Sequence, residues 1–313
     1  MGHRSREKTK AAKPMASAAP RGPFCDYSVK HVGGYVFTNP VLSAEPDCEA
    51  PRFASVKAEV QAVLDSAQRS GSLSSASVYA CDLARSEWFA INPHERFEPG
   101  SLMKVPTLLT VLMLAESDPA WASRRYTLDF QIDYPVQSYP PAAEPLPGGN
   151  YSFSELLDFS IVKSSNRAEA ILLKHAGTEA FRKLLMNLGL PDIEDRNSYP
   201  ISSFEYARFF KALYNGSLLS PRNSEAALEL LTRSEFQDGF RKAIPKGIAV
   251  ASKFGETGNG NSKQLHEAAI VYPAGRPYLI VCMTKGQRTE DLAVLLGKVA
   301  AKVHSSMAAR PNV

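Results

Sequence analysis

A serine three residues ahead of a lysine can be a nucleophile with its own base. In Phe97-Glu98-Pro99-Gly100-Ser101-Leu102-Met103-Lys104-Val105-Pro106, Pro99 and Gly100 break regular structure. The helix formers from Ser101 onward continue into the apolar run Thr107-Leu108-Leu109-Thr110-Val111-Leu112-Met113-Leu114-Ala115. The segment therefore predicts a loop that delivers Ser101 to the first turn of a buried, central helix. Three residues are almost one turn, so Lys104 shares the face of Ser101 and its amine reaches the hydroxyl proton. A lysine acts as a base only where its ammonium form is disfavoured, which burial beside a second cation or at a helix N-terminus accomplishes. Pro106 removes one backbone donor and predicts a slight kink early in the helix. The spacing alone is common, recurring at Ser5/Lys8 and Ser160/Lys163. The apolar context is what singles out Ser101.

Two further short motifs complete a candidate site. Ser164-Ser165-Asn166 falls at a break between two helical patterns. Lys253-Phe254-Gly255 ends an apolar strand pattern and precedes Glu256-Thr257-Gly258-Asn259-Gly260-Asn261, which reads as a flexible loop. Serine acyl transfer needs a nucleophile, a base, a proton shuttle to the leaving group and a cation for an anionic substrate. The three motifs supply all four.

The elements that must position these residues follow from periodicity. Residues 53–69 place Val56, Val60, Val63, Leu64 and Ala67 on one helical face. Residues 75–83 and 87–91 predict a strand hairpin, and the Ser101 helix closes near Glu116. A proline-rich stretch over residues 134–147 excludes helix. Helical patterns follow at 154–162, 166–175, 178–187, 203–215 and 220–231, with Ser154 and Thr178 as expected caps. Strands return at 249–254, 265–272 and 277–284, the last two joined by Pro273-Ala274-Gly275-Arg276, and residues 290–307 form a closing amphipathic helix. The fold class expected is α/β (α+β): an antiparallel sheet flanked by N- and C-terminal helices, with an all-helical insert. The expected parts are a disordered basic tail over 1–23, an irregular extension over 24–52, and one domain over 53–313. Within that domain, residues 53–117 and 245–313 are α/β and residues 118–244 are helical.

Composition narrows the function classes. The chain of 313 residues is 44% hydrophobic, enough for a substantial core. Its net charge of +4 balances 36 basic against 32 acidic residues, several of the basic ones within the first thirteen positions, and does not point to nucleic acid. Neither C-x-x-C nor H-E-x-x-H occurs, so neither a metal nor any other cofactor is expected. Cys25 and Cys48 can pair in an oxidising compartment, whereas Cys81 and Cys282 sit in strand-like apolar runs and are expected as buried thiols. Residues 1–23 hold no apolar run of signal-peptide or membrane-span length, and a leader remnant or a transit segment fits their composition equally.

Taken together, the ordered motifs resemble those of the penicillin-recognising serine enzymes, most closely the class A β-lactamases, whose set is S-x-x-K, S-D-N and K-T-G. The resemblance covers roughly residues 53–303. It implies that Ser101 is the acylated nucleophile and Lys104 its base or proton relay. Ser164 passes a proton toward the leaving nitrogen, Asn166 holds a substrate amide, and Lys253 supports Ser164 and attracts a carboxylate. Backbone N–H groups of Ser101 and of Glu256 or Thr257, just past Gly255, form the oxyanion hole. The resemblance also implies an extracytoplasmic location and a small-molecule or peptide acyl substrate, and a monomer is expected. Three departures stand out. Ser165 replaces the aspartate of the second motif, where a side chain braces the loop. Phe254 replaces the hydroxyl residue of the third motif, which removes a hydrogen bond to a substrate carboxylate. The class A glutamate that activates the hydrolytic water has no counterpart at family spacing in the short interval 188–203, where Glu194 is the candidate. These departures leave a second reading open, a protein of this fold that binds acyl donors with impaired turnover or serves as a scaffold.

Overall fold

The computed structural model describes residues 25–32, 41–132, 137–193 and 198–308. In chain order it holds β1 (Tyr27–His31), β2 (Val41–Pro46), α1 (Ala54–Arg69), β3 (Leu73–Asp82), β4 (Glu87–Ile91) and β5 (Arg96–Phe97). Next come α2 (Lys104–Ser117), α3 (Ala120–Ser123), β6 (Arg125–Thr127), β7 (Asn150–Ser152), α4 (Phe153–Leu157), α5 (Asn166–Asn187), β8 (Ile201–Ser202), α6 (Ser203–Asn215) and α7 (Pro221–Thr232). The chain closes with β9 (Ala249–Asn259), β10 (Ser262–Tyr272), β11 (Tyr278–Gly286) and α8 (Thr289–Ala308).

Five antiparallel strands form the central sheet in the order β4-β3-β11-β10-β9. Side chains alternate across a strand, and here both faces are apolar. Val78 and Ala80 of β3, with Ile280 and Cys282 of β11, turn toward Val56, Val60 and Leu64 of α1 and Leu292, Leu296 and Val299 of α8. Tyr79 and Cys81, with Leu279, Val281 and Met283, turn to the opposite core. There they meet Val105, Leu108 and Leu109 of α2 and Phe209, Phe210 and Leu213 of α6. The sheet is thus buried on both faces, with its two covering helices drawn from opposite ends of the sequence. The insert over 118–244 stands on the second core; it is not all-helical, because the short strands β6, β7 and β8 lie within it, β6 pairing with β7 and β8 with β5.

Several elements depart from the sequence reading. The helix expected from residue 154 starts at Phe153, because Ser152 and Glu155 form a capping box, and it passes into a π-helical turn over Asp158–Val162. The two helices expected at 166–175 and 178–187 are both present as the halves of α5, separated by a kink at Gly177 with φ 76°. The loop expected after Gly255 is instead strand, since β9 pairs with β10 out to Asn259. The proline expected to kink the nucleophile helix lies in the first turn of α2, where its missing N–H has no intrahelical acceptor to lose.

The extension expected to be irregular contains a hairpin. β1 and β2 pair antiparallel, and Cys25 and Cys48 are joined by a disulfide with their Cα atoms 5.6 Å apart. The hairpin is tied to the body through charge. Lys211 of α6 lies 2.6 Å from the Glu45 carboxylate of β2 and donates to the Tyr79 hydroxyl at 2.5 Å. Trp88 donates to the Pro46 carbonyl at 2.9 Å and Asn215 to the Leu42 carbonyl at 2.9 Å. Local pattern does not foretell such a hairpin, because its stability comes from contacts across some 170 residues of chain. The tail expected over 1–23 lies outside the described residues.

Glu267 of β10 is fully buried and accepts from the Phe240 N–H at 2.7 Å. Burial pushes its carboxyl up to about 8 from an ordinary 4.5, against the opposing pull of that N–H, Arg241 and Lys253. The native state therefore keeps a proton that the unfolded chain releases above about 4.5. Its contribution to stability falls as pH rises from about 4.5 to about 8 and is level beyond. Glu267→Gln keeps the acceptor and lacks the titration. In thermal melts between pH 5.5 and 8.5 the parent protein should lose more stability than the variant, whereas parallel curves would show that Glu267 does not titrate in this range.

Candidate active site

Ser101 lies in a short 3₁₀ turn, Gly100–Met103, that feeds directly into α2. Three contacts hold this turn against the sheet and the insert. Tyr206 of α6 donates its hydroxyl to the Leu102 carbonyl at 2.7 Å. His266 of β10 accepts the Thr284 N–H on Nδ1 at 3.0 Å, so its proton is on Nε2, which donates to the Glu98 carbonyl at 2.9 Å. Burial lowers the His266 pKa to about 4, keeping the ring neutral. The third contact is backbone on backbone. Gly100 has φ 52°, and a Cβ there would overlap the Glu256 carbonyl oxygen. A Cβ on Gly255 would overlap the Pro99 carbonyl oxygen, so both glycines permit β9 to lie directly on the nucleophile turn.

Lys104 is 1% exposed, and its nitrogen is surrounded by polar partners. Nζ lies 2.7 Å from Ser101 Oγ, 2.7 Å from Asn166 Oδ1 and 3.1 Å from Glu169 Oε2. Proton exchange between Nζ and the Ser101 hydroxyl therefore needs no rearrangement of either side chain. Lys253 is wholly buried and donates to Ser164 Oγ at 2.8 Å and to the Phe254 carbonyl at 3.0 Å. Burial, and then the positive charge of Lys104, hold the Lys253 ammonium well below its ordinary pKa, while Glu169 and Glu267 oppose that shift. The second cation beside Lys104 is thus Lys253, contributed by the edge strand.

The second motif divides its labour among neighbours. Ser165 is the N-cap of α5, accepting from the Ala168 N–H at 3.0 Å. It also donates to the carboxylate of Glu144, which accepts from the Arg167 N–H at 3.3 Å. The carboxylate missing from the motif is therefore supplied by the proline-rich segment. Ser164, just before the cap, has φ 59°, a conformation uncommon for a non-glycine residue, and this directs its hydroxyl to Lys253. Asn166, just after it, reaches Lys104. The other Ser-x-x-Lys pair among the described residues is inert by comparison, since Lys163 donates to Glu235 at 2.8 Å.

Alternation along β9 sorts the third motif. Gly255 and Thr257 face the nucleophile turn, with Thr257 on the wall of a cavity of about 280 Å³ that Gly100, Met103, Thr107 and Glu169 also border. Phe254 and Glu256 alternate with them, and the Phe254 ring lies over the Lys253 ammonium, its centroid 4.3 Å from Nζ. The Phe254 ring stacks on Phe236 at 4.3 Å and meets Tyr139 edge-on at 6.1 Å. The Glu256 carboxylate accepts from the Ser138 and Tyr139 N–H groups at 2.7 and 3.0 Å, so its side chain fastens the proline-rich segment while its backbone lies against Gly100, next to Ser101. Glu194 lies outside the described residues.

The structure thus brings together Ser101, Lys104, Ser164, Asn166, Lys253, Gly255 and Thr257, together with the Glu256 backbone. It adds Glu169, which the sequence reading missed. Its place three residues after Asn166, on the same face of α5, was the available signal. The geometry offers a proton path from Ser101 Oγ to Lys104, and a separate hydroxyl, that of Ser164, held by a lysine whose charge is disfavoured. That is the equipment of acyl transfer.

Comparison with known proteins agrees with this geometry. The sequence profile of the β-lactamase enzyme family matches residues 55–307. A β-lactamase of Streptomyces albus G is 25% identical over 242 residues, covering 71% of this chain and 76% of that protein. In fold, PBP-A superposes with a TM-score of 0.70 at 19% identity, covering 82% of this chain and 97% of that one. A β-lactamase from Xanthomonas campestris superposes at 0.67 and 19% identity, covering 79% and 97%. The motifs, the sheet with its two flanking helices and a profile match over most of the chain lead to one conclusion: the protein belongs to the β-lactamase enzyme family.

Proposed function

We propose that the protein is a serine hydrolase that opens a β-lactam or a related amide or ester through an acyl-enzyme on Ser101. The observation that carries this reading is the 2.7 Å contact between Lys104 Nζ and Ser101 Oγ, made inside the protein rather than in solvent. Lys104 takes the hydroxyl proton as Oγ attacks the substrate carbonyl. The backbone N–H groups of Ser101 and Glu256 receive the developing oxyanion. Ser164, held by Lys253, hands a proton to the departing nitrogen and takes its replacement from the Lys104 ammonium, while Asn166 holds the substrate's amide side chain. An extracytoplasmic location fits this reading and the disulfide. Among the described residues no helix is long and apolar enough to cross a membrane.

Phe254 favours a narrower substrate range than that of an ordinary penicillinase. Its ring is packed between Phe236 and Tyr139, where the family motif has a hydroxyl for the substrate carboxylate. The same feature supports the second reading, a penicillin-binding protein of low turnover, which differs in the lifetime of the adduct and not in its place.

Two outcomes follow. Intact-protein mass spectrometry after incubation with a fluorescent penicillin should show one adduct that Ser101→Ala abolishes, and an adduct of equal yield on that variant would sink the assignment. Phe254→Thr should raise the acylation rate with benzylpenicillin about tenfold, the worth of one hydrogen bond to a charged group, while lowering the melting temperature through loss of the aromatic stack. An unchanged acylation rate would mean that this position does not limit carboxylate binding.

A further inference from the structure

Given acylation at Ser101, the ester must be hydrolysed, and the class A arrangement places a glutamate for that step on the loop after the second motif. This chain has a carboxylate at the nucleophile from a different element. Glu169 projects from the first turn of α5, with Oε2 at 3.1 Å from Lys104 Nζ and Oε1 at 3.2 Å from the Thr107 hydroxyl of α2. Its side chain is 16% exposed, and the open side borders the cavity of about 280 Å³ beside Gly100 and Thr257. A space of that size, with the Thr107, Glu169 and Thr257 side chains on its wall, has room for a water next to the Ser101 turn. Glu98 reaches the same cavity, but its carboxylate accepts from Ser198 at 2.7 Å. Among the described residues, Glu169 is the carboxylate in contact with the catalytic lysine.

We propose that Glu169 is the general base of deacylation, so that this protein carries on a helix the function its relatives place on a loop. The inference rests on the acyl-enzyme reading above. A water in the cavity attacks the carbonyl carbon of the acyl-Ser101 ester as its proton passes to the Glu169 carboxylate. The tetrahedral intermediate collapses by breaking its bond to Ser101 Oγ, which receives the Glu169 proton by way of the Lys104 amine, across the 3.1 Å contact between Glu169 and Lys104. The product is a free carboxylic acid, and serine, lysine and glutamate end in their starting states. Residues joined by one short ion pair thereby close the proton circuit without a loop residue.

The test separates the two half-reactions. With the full chain and a fluorescent penicillin, the rates of adduct formation and decay are measured by rapid-quench mass spectrometry for the parent protein, Glu169→Gln and Glu169→Asp. General-base catalysis is worth roughly 10²–10⁴-fold. Glu169→Gln should therefore still acylate, within about tenfold of the parent, and its adduct should decay at least about 100-fold more slowly, with Glu169→Asp recovering part of the loss. Equal losses in both steps would make Glu169 a structural partner of Lys104 and overturn the proposal. So would an adduct that decays at the parent rate in Glu169→Gln, or one that stalls in Glu194→Gln while Glu169→Gln turns over. Absence of any Ser101 adduct on the parent protein would instead count against the acyl-enzyme reading itself.

Discussion

Two lysine side chains buried within reach of one another are the constraint around which this structure is arranged. Removing an ammonium from water is costly unless every donor finds a partner. Lys104 has Ser101, Asn166 and Glu169 around it, while Lys253 has the Ser164 hydroxyl and the Phe254 carbonyl, and burial disfavours its charged form. Those partners come from α2, the start of α5 and the edge strand β9, which must therefore converge on one point. The glycines at 100 and 255 allow the strand to close on the turn, and His266 and Tyr206 fix the turn from beneath. The chemistry proposed for the site is a consequence of the same pairing, because a lysine that hydrogen-bonds a serine hydroxyl in a dry setting is placed to exchange a proton with it.

The parts of this arrangement legible in the sequence are those set by short-range pattern. Ser101 and Lys104 are one helical turn apart, and the apolar run after them can only be buried. The alternation in β3, β10 and β11 is local, and so is the amphipathic face of α1. What was not legible depends on partners distant in the chain. Glu256-Thr257-Gly258-Asn259 reads as a polar loop, yet it is strand because β10 supplies a ladder for it. The Cys25–Cys48 hairpin needs Lys211 and Tyr79. Glu169 looks like any surface glutamate on a helix until Lys104 is placed beside it.

The departures from the family motifs are connected in space. Phe254, Glu256 and Ser165 all contact the proline-rich segment, through Tyr139, the Ser138 and Tyr139 amides, and Glu144 respectively. A hydroxyl exchanged for an aromatic ring and an aspartate exchanged for a serine thus have a common result. The segment is fastened against both the edge strand and the second motif, and the wall of the cleft on that side becomes aromatic.

The central claim is that the buried Lys104 makes Ser101 a nucleophile. It is tested most directly by the rate at which a small fluorophosphonate labels the protein, with the modified residue identified by peptide mapping, in the parent and in Lys104→Met. The account predicts a single label on Ser101 in the parent and a rate reduced about 10²–10⁴-fold in a variant that remains folded. Labelling of Ser101 at an undiminished rate without Lys104, or labelling of a different serine in the parent, would contradict it.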